Sequence, residues 1–183
     1  MAAGGSTRFG STKQVAELCG TPLVRHAAAA AQQVCGDNVI TVIGHDMTRV
    51  LAVLGDDSGF VIVNDDYETG LASSIVRAVH ACGSDAAALL LLLADQVLVT
   101  AEHLQCLLNE WSGGDHEIVA TAYAGTAGPP VLIARGAFAD LKRLRGDAGA
   151  RTLFDDERFV LKTVLFEAAA TDVDTAADLA ALS

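Results

Sequence analysis

Arg8 and Lys13 are the two cations of a glycine-rich stretch, Met1-Ala2-Ala3-Gly4-Gly5-Ser6-Thr7-Arg8-Phe9-Gly10-Ser11-Thr12-Lys13, that opens directly into apolar sequence. Glycines let backbone N–H groups approach a polyphosphate closely, and the two side chains supply the charge that neutral amides lack. The stretch reads as a nucleotide cradle. It is not a Walker A loop, because Ser11 and Thr12 separate Gly10 from Lys13, and Gly4, Gly5 and Gly10 do not fit a Gly-x-Gly-x-x-Gly fingerprint. A flexible, polar amino terminus is the plain alternative for a run of small residues.

Asp95 follows the apolar run Ala88 to Leu93 almost at once, and open α/β sheets bind ligands beyond the carboxyl ends of their strands. An unpaired carboxylate is costly to bury there, so a cation partner is expected. Mg²⁺ suits the position because it takes one or two carboxylates together with phosphate oxygens. In Asp172-Val173-Asp174-Thr175, alternation places Asp172 and Asp174 on one side of an extended segment, so either can face a metal held by Asp95. An acidic helix entrance favoured by the dipole accounts for the same residues. Between Asn64 and Ser74 a strand-to-helix loop carries an amide, hydroxyls and Gly70, groups able to recognise ribose or base, although an ordinary capped loop has this composition too. His26, His45, His80, His103 and His116 lack ligand spacing and read as structural or solvated.

These residues must be positioned by regular elements. Apolar strands alternate with helical stretches, which predicts an α/β fold with a mostly parallel central sheet and helices on both faces. Helices are expected from Pro22 to about Cys35 with Thr21 as cap and Gly36 as stop, over Asp46 to Leu54, Leu71 to Cys82, from the Thr100 cap to Trp111, over Ala137 to Leu144, and beyond a Thr175 cap. Strands are expected at Val39 to Ile43, Phe60 to Val63, Ala88 to Leu93, Glu117 to Ala122, Pro130 to Ala134 and Phe159 to Phe166. At 183 residues, one domain spanning 1–183 is expected, burying roughly 70% of its extended surface.

Lys and Arg number 12 against 23 Asp and Glu, a net charge of −11, so there is no cationic surplus to grip a nucleic-acid backbone. The longest apolar run, Ala86 to Ala94, has nine residues, far fewer than the roughly 20 of a membrane helix. No leader pattern precedes the glycine stretch, and a cytoplasmic protein without membrane contact is expected. Cys19, Cys35, Cys82 and Cys106 form no C-x-x-C pair and read as reduced core thiols.

Taken in order, six segments resemble the molybdenum cofactor nucleotidyltransferases, in their cytidylyltransferase branch. They are Ala2-Ala3-Gly4-x-Ser6-x-Arg8-x-Gly10-x-x-Lys13, Gly20-x-Pro22-Leu23, Asn64 with Gly70 and Ser73-Ser74, Ala94-Asp95-Gln96, Gly146-Asp147-x-Gly149-Ala150-Arg151, and Asp172-x-Asp174-Thr175. The resemblance implies a Rossmann-like nucleotidyltransferase fold and transfer of CMP from CTP to the terminal phosphate of the molybdenum cofactor, with pyrophosphate leaving. Ala3, where guanylyl-transferring relatives tend to carry Gly, and Gln96 after Asp95 point to CTP. By the same resemblance Lys13, Arg8 and Asp95 are catalytic, and Mg²⁺ sits on Asp95 and Asp174. Ala3, Gly4, Gly5, Ser6, Asn64, Gly70, Ser73 and Ser74 lie near the nucleotide. Arg151 meets the acceptor phosphate, or else pairs with a nearby acid. CTP and the molybdenum cofactor are the implied substrates, and a molybdenum hydroxylase is the implied recipient of the product.

The chain departs from that family in three places. An apolar strand normally precedes the Ala-Ala-Gly, and Met1 is its last position here, so either the native start lies upstream or a shortened strand is tolerated. Val97 stands for the family's Pro, and Gly128-Pro129-Pro130 for its Gly-His-Pro. Two other readings share the glycine loop: an oxidoreductase of pyridine-type pigments, and a non-catalytic carrier of the cofactor.

Overall fold

Along the apolar strands, successive residues pack into different cores, as the two-residue period of a sheet covered on both sides requires. Ile118, Ala120, Val131 and Ile133 pack with Ile75 and Val79, whereas their neighbours Val119 and Leu132 pack with Ala30, Leu104 and Leu107. The computed structural model that reveals this describes residues 1–6 and 8–182, so Thr7 of the glycine stretch and Ser183 lie outside the described residues.

Among the described residues eight strands are formed: β1 (Glu17–Leu18), β2 (Thr21–Pro22), β3 (Ile40–Ile43), β4 (Phe60–Val63), β5 (Ala88–Leu91), β6 (Glu117–Tyr123), β7 (Thr126–Ala134) and β8 (Val160–Leu165). The α-helices are α1 (Leu23–Cys35), α2 (Met47–Val53), α3 (Leu71–Ala81), α4 (Ala101–Glu110), α5 (Phe138–Leu141) and α6 (Ala176–Ala181). Through their buried residues, α3 and α5 cover one face of the sheet and α1 and α4 the other.

The sheet is mixed rather than mostly parallel. β3 pairs with β4 in parallel, and in the four-stranded order β5-β7-β6-β8 only β6 and β8 are parallel. β7 runs antiparallel to both β5 and β6. The cause is local: Ala124 and Gly125, with φ of 48° and 72°, join β6 to β7 in two residues. Positive φ at both central positions gives the tight turn whose twist suits a hairpin.

Other expectations shift in detail. Thr21 and Pro22 do not open α1 but pair with Leu18 and Glu17, and α1 starts at Leu23 without a side-chain cap. Cys19 and Gly20, with φ of 52° and 78°, make that small hairpin turn. The helix expected over Ala137 to Leu144 shortens to the four residues of α5, and the strand from Ala88 stops at Leu91. Asp46 takes φ 50° and precedes α2 instead of starting it. Thr100 and Thr175 do cap α4 and α6, the latter in a reciprocal capping box with Asp178. The cysteines are all free, but Cys19 and Cys106 are exposed and Cys35 and Cys82 half-buried, so they are not core thiols. Among the described residues, no helix is long and apolar enough to cross a membrane.

Among the described residues, backbone hydrogen bonds of Met1 to Ala3 link the half-sheet of β3 and β4 to the four-stranded half. Ala2 N donates to Val42 O at 2.8 Å and His45 N to Ala3 O at 3.1 Å, while Met1 N donates to Leu92 O at 2.8 Å and Ala94 N to Met1 O at 3.0 Å. The glycine stretch therefore leaves the sheet between β3 and β5, at the ends where both strands lead into loops.

Across the sheet, buried His103 reaches Thr121 Oγ1 through Nε2 at 2.8 Å, and that hydroxyl donates to Pro130 O at 2.7 Å. Because the hydroxyl's one hydrogen is committed to Pro130, Nε2 is the donor of the first bond. Burial lowers the His103 pKa below 6.5. A base whose folded pKa is depressed leaves the unfolded chain holding more protons, so stability is lost as pH falls below about 6.5. Denaturant titrations at pH 7.5 and pH 5.5 should show this loss, and His103→Gln should shrink it.

Candidate active site

The glycine stretch is held from beneath by two side chains. Buried Gln14 donates from Nε2 to Gly4 O at 2.8 Å and accepts from Ser6 Oγ at 3.2 Å. Buried Thr12 donates its hydroxyl to the Asp46 carboxylate. These anchors let Gly4 and Gly5 stay exposed over a cavity of about 730 Å³.

Lys13 begins a short turn after the stretch, and its ammonium lies 2.9 Å from Asp95 Oδ2 and 3.0 Å from Asp174 Oδ1. The C-terminal segment is brought there by backbone pairing. Val173 N donates to Asp95 O at 3.0 Å, and with the Val173 side chain fully buried, the flanking Asp172 and Asp174 are left on the outer side. Of these two it is Asp174 that joins Lys13, and it also takes the guanidinium of exposed Arg8 at 2.9 Å. Burial opposes a charge on Lys13, but the field and hydrogen bonds of Asp95 and Asp174 outweigh it and raise its pKa, so the ammonium is kept.

Asp95 Oδ1 is shielded from solvent and has no hydrogen-bond partner among the described residues. Carboxylates outnumber cations here, since Asp95, Asp147, Asp174 and Glu68 line the cavity with only Lys13 and Arg8 against them. A triphosphate added to this set needs further positive charge. Two carboxylates with an unsatisfied oxygen fit Mg²⁺, which keeps waters and takes phosphate oxygens for its remaining positions.

The loop after β4 is organised by its own polar groups. Asn64 is fully buried, donating to Ser73 Oγ at 2.8 Å and Ser74 Oγ at 2.9 Å and accepting from Asp66 N at 3.1 Å. Asn64 and Ser73 thus shape the loop without lining the cavity, whereas Gly70 and Ser74 do line it. Gly70 has φ 108°, and a β-carbon there would overlap the Gly146 carbonyl, which accepts from Ala72 N at 3.0 Å. The Gly146-Asp147 turn is thereby pressed against the cavity, which Asp147 lines.

Of the residues expected from sequence, Ala3, Gly4, Gly5, Ser6, Arg8, Lys13, Gly70, Ser74, Asp95 and Asp174 converge on one cavity. Arg151 does not line it. Its guanidinium donates to the Thr126 hydroxyl on β7. Gln96 is buried and donates to Pro129 O at 3.1 Å and Ala169 O at 2.8 Å, so its amide ties loops together instead of facing a nucleotide base.

Sequence reasoning missed Gln14, His45 and Tyr67. His45 lies two residues past the carboxyl end of β3, where the rule for open sheets would have found it. Its ring meets that of Tyr67 edge-on, with centroids 5.8 Å apart. At Gly44 a β-carbon would lie 2.7 Å from that of Tyr67 and 3.0 Å from that of Ala3, so only glycine lets Tyr67 lie over the start of the cradle.

A family model, the MobA-like NTP transferase domain, matches residues 1–162. The chain belongs to this family. Its fold is that of Rossmann-like nucleotidyltransferases, with a mixed central sheet. The solved structure of Rv0371c from Mycobacterium tuberculosis H37Rv superposes with a TM-score of 0.86 at 30% identity, covering 99% of this chain and 94% of that one. A manganese complex of Rv0371c superposes with a TM-score of 0.80 at 27% identity, covering 98% and 93%. The bifunctional protein GlmU of Bacillus cytotoxicus is 31% identical over 126 residues, which is 67% of this chain and 27% of that protein. The chain thus spans about a quarter of the length of the curated relatives it matches.

Asp172 stands beside the cluster. Although the residue as a whole is exposed, atoms packed around its carboxyl strip part of its water, and with the charges of Asp95 and Asp174 this pushes its pKa up to about 6. A raised folded pKa gives stability that is full below the ordinary value of 3.8 and is lost as pH climbs through about 6. Asp172→Asn should therefore raise the thermal midpoint over the parent at pH 7.5 and match it at pH 3.5, as scanning calorimetry would show.

Proposed function

We propose that this chain is a cytidylyltransferase that moves CMP from CTP to the terminal phosphate of the molybdenum cofactor and releases pyrophosphate. The observation that carries the reading is the Asp95–Lys13–Asp174 constellation facing the glycine cradle across one cavity. In this reading an oxygen of the acceptor phosphate attacks the α-phosphorus in line, a new P–O bond forms, and the bond to the bridging oxygen of the β-phosphate breaks. No enzyme nucleophile is needed, so catalysis is positioning and charge neutralisation.

Gly4, Gly5 and Ser6 present backbone N–H groups to the phosphates. Lys13 and Arg8 meet the negative oxygens, and the raised pKa of Lys13 keeps it charged at every working pH. Asp95 and Asp174 would hold Mg²⁺, which when bound supplies charge to the reacting phosphates. The family description and the manganese complex of Rv0371c support a nucleoside triphosphate and a divalent ion. Ala3 and the order of the motifs support CTP and the pterin acceptor, with Gly70 and Ser74 beside the nucleotide and Asn64 and Ser73 shaping their loop. Arg151, six residues or fewer from the Gly146-Asp147 turn, is assigned to the acceptor phosphate, for which it would exchange its bond to Thr126. The product would pass to a molybdenum hydroxylase in the cytoplasm.

Purified protein with Mg²⁺ and molybdenum cofactor should release pyrophosphate from CTP faster than from GTP. Equal rates would overturn the base assignment, and no release from any nucleotide would overturn the class. Lys13→Ala, with its fold checked by circular dichroism, should lose about 10²–10³-fold in rate, the usual effect of removing one such charge-stabilising donor.

A further inference from the structure

The ladder that fixes the start of the glycine stretch reaches Ala3, whose carbonyl accepts from His45 N at 3.1 Å. Gly4 O is the next carbonyl along the chain, and its peptide joins two glycines. A peptide between glycines turns over at little cost, because the flipped form uses positive φ at the second residue, which glycine enters about as readily as negative φ. The form held here is the other one, since neither Gly4 nor Gly5 has positive φ.

Gln14 is what holds it. The side chain is buried, with Nε2 donating to Gly4 O at 2.8 Å and Oε1 accepting from the hydroxyl of Ser6, itself left-handed with φ 51°. Across a trans peptide the carbonyl and the following N–H point in opposite directions. With Gly4 O directed onto Gln14, Gly5 N–H is directed away from it, at a point where both glycines are exposed and line the cavity. Among the described residues no acceptor takes the N–H of Gly4, Gly5 or Ser6, and a β-carbon on Gly4 or Gly5 would meet nothing beyond its chain neighbours within 4 Å. Donors and space are both left to a ligand.

We propose that Gln14 is a positioning residue for the polyphosphate: through the Gly4 carbonyl it aims the Gly5 N–H at an anionic oxygen, and so governs affinity for the phosphate end of the substrate and not for the nucleoside end. The assignment rests on the nucleotide-binding reading of the cavity. Both ends of the Gln14 amide are engaged by the stretch, so its effect is exerted through Gly4 and Ser6. Without the bond to Gly4 the peptide is free to turn, and a carbonyl oxygen then repels the anion that the N–H attracts.

The test titrates inorganic tripolyphosphate and, separately, cytidine, both with Mg²⁺, into the parent and into Gln14→Met, which keeps the length of the side chain but has no donor. Gln14→Met should bind tripolyphosphate roughly 10–100-fold more weakly, the range for one hydrogen bond to a charged group, and should bind cytidine as the parent does. In the parent the Gly5 amide proton, followed by heteronuclear NMR, should move downfield as tripolyphosphate is added, and in the variant it should stay in place. Undiminished tripolyphosphate affinity in Gln14→Met would overturn the assignment. Equal losses for the two ligands would do so too, because they mark a merely structural role, as would a parent Gly5 amide that bound tripolyphosphate leaves unmoved. That last measurement needs no variant and decides the matter even where Gln14→Met does not fold. A parent that does not bind tripolyphosphate at all would overturn the nucleotide reading of the cavity, and the assignment with it.

Discussion

One ammonium group ties together three parts of the chain, two of which bring carboxylates that oppose each other's charge. Lys13 lies 82 residues from Asp95 and 161 from Asp174, yet its nitrogen is within 3.0 Å of an oxygen of each. Two carboxylates brought this close without a cation would each disfavour the other's charge. The cradle, the carboxyl end of β5 and the segment before α6 thus meet around Lys13, alongside the backbone bond from Val173 N to Asp95 O. The same requirement makes the site receptive to a phosphate chain, since cations already positioned for carboxylates need little reorganisation to meet other anionic oxygens.

Around this ion cluster, the polar side chains closest to the cavity are engaged with the protein itself. Gln14 fixes Gly4 and Ser6, Thr12 fixes Asp46, and Asn64 fixes the two serines that open α3. Each is buried, and each satisfies its hydrogen-bonding groups on a loop that would otherwise be free to rearrange. The surfaces left for a ligand are therefore backbone amides, glycine and small hydroxyls held at set positions. Rigid presentation of this kind lowers the ordering cost of binding.

Much of this was legible in the sequence, and the failures have specific physical causes. The period-two apolar runs located six of the strands, and the Thr100 and Thr175 caps were placed correctly because capping is local chemistry. Strand direction was not local. The turn at Ala124-Gly125 reverses the chain using a left-handed alanine, a residue that gives no turn signal, and so the sheet read as mostly parallel. Thr21-Pro22 has the composition of a helix start, but pairing with Glu17-Leu18 overrides it. Arg8, Lys13 and Asp95 were singled out because charge in a glycine loop or after an apolar strand needs explaining, whereas Glu68 and Asp147, which also line the cavity, were not. Gln14 was missed because a lone glutamine in an amphipathic stretch looks solvated.

The contact between Gly70 and Gly146 joins two loops that serve opposite sides of the cavity. One side leads through Ser74 into α3, and the other runs on to Arg151. With no side chain to act as a spacer and a carbonyl-to-amide bond of 3.0 Å, the two backbones lie in direct contact. A shift in the backbone at the start of α3 therefore meets the Gly146-Asp147 turn directly, with no side chain between them to absorb it.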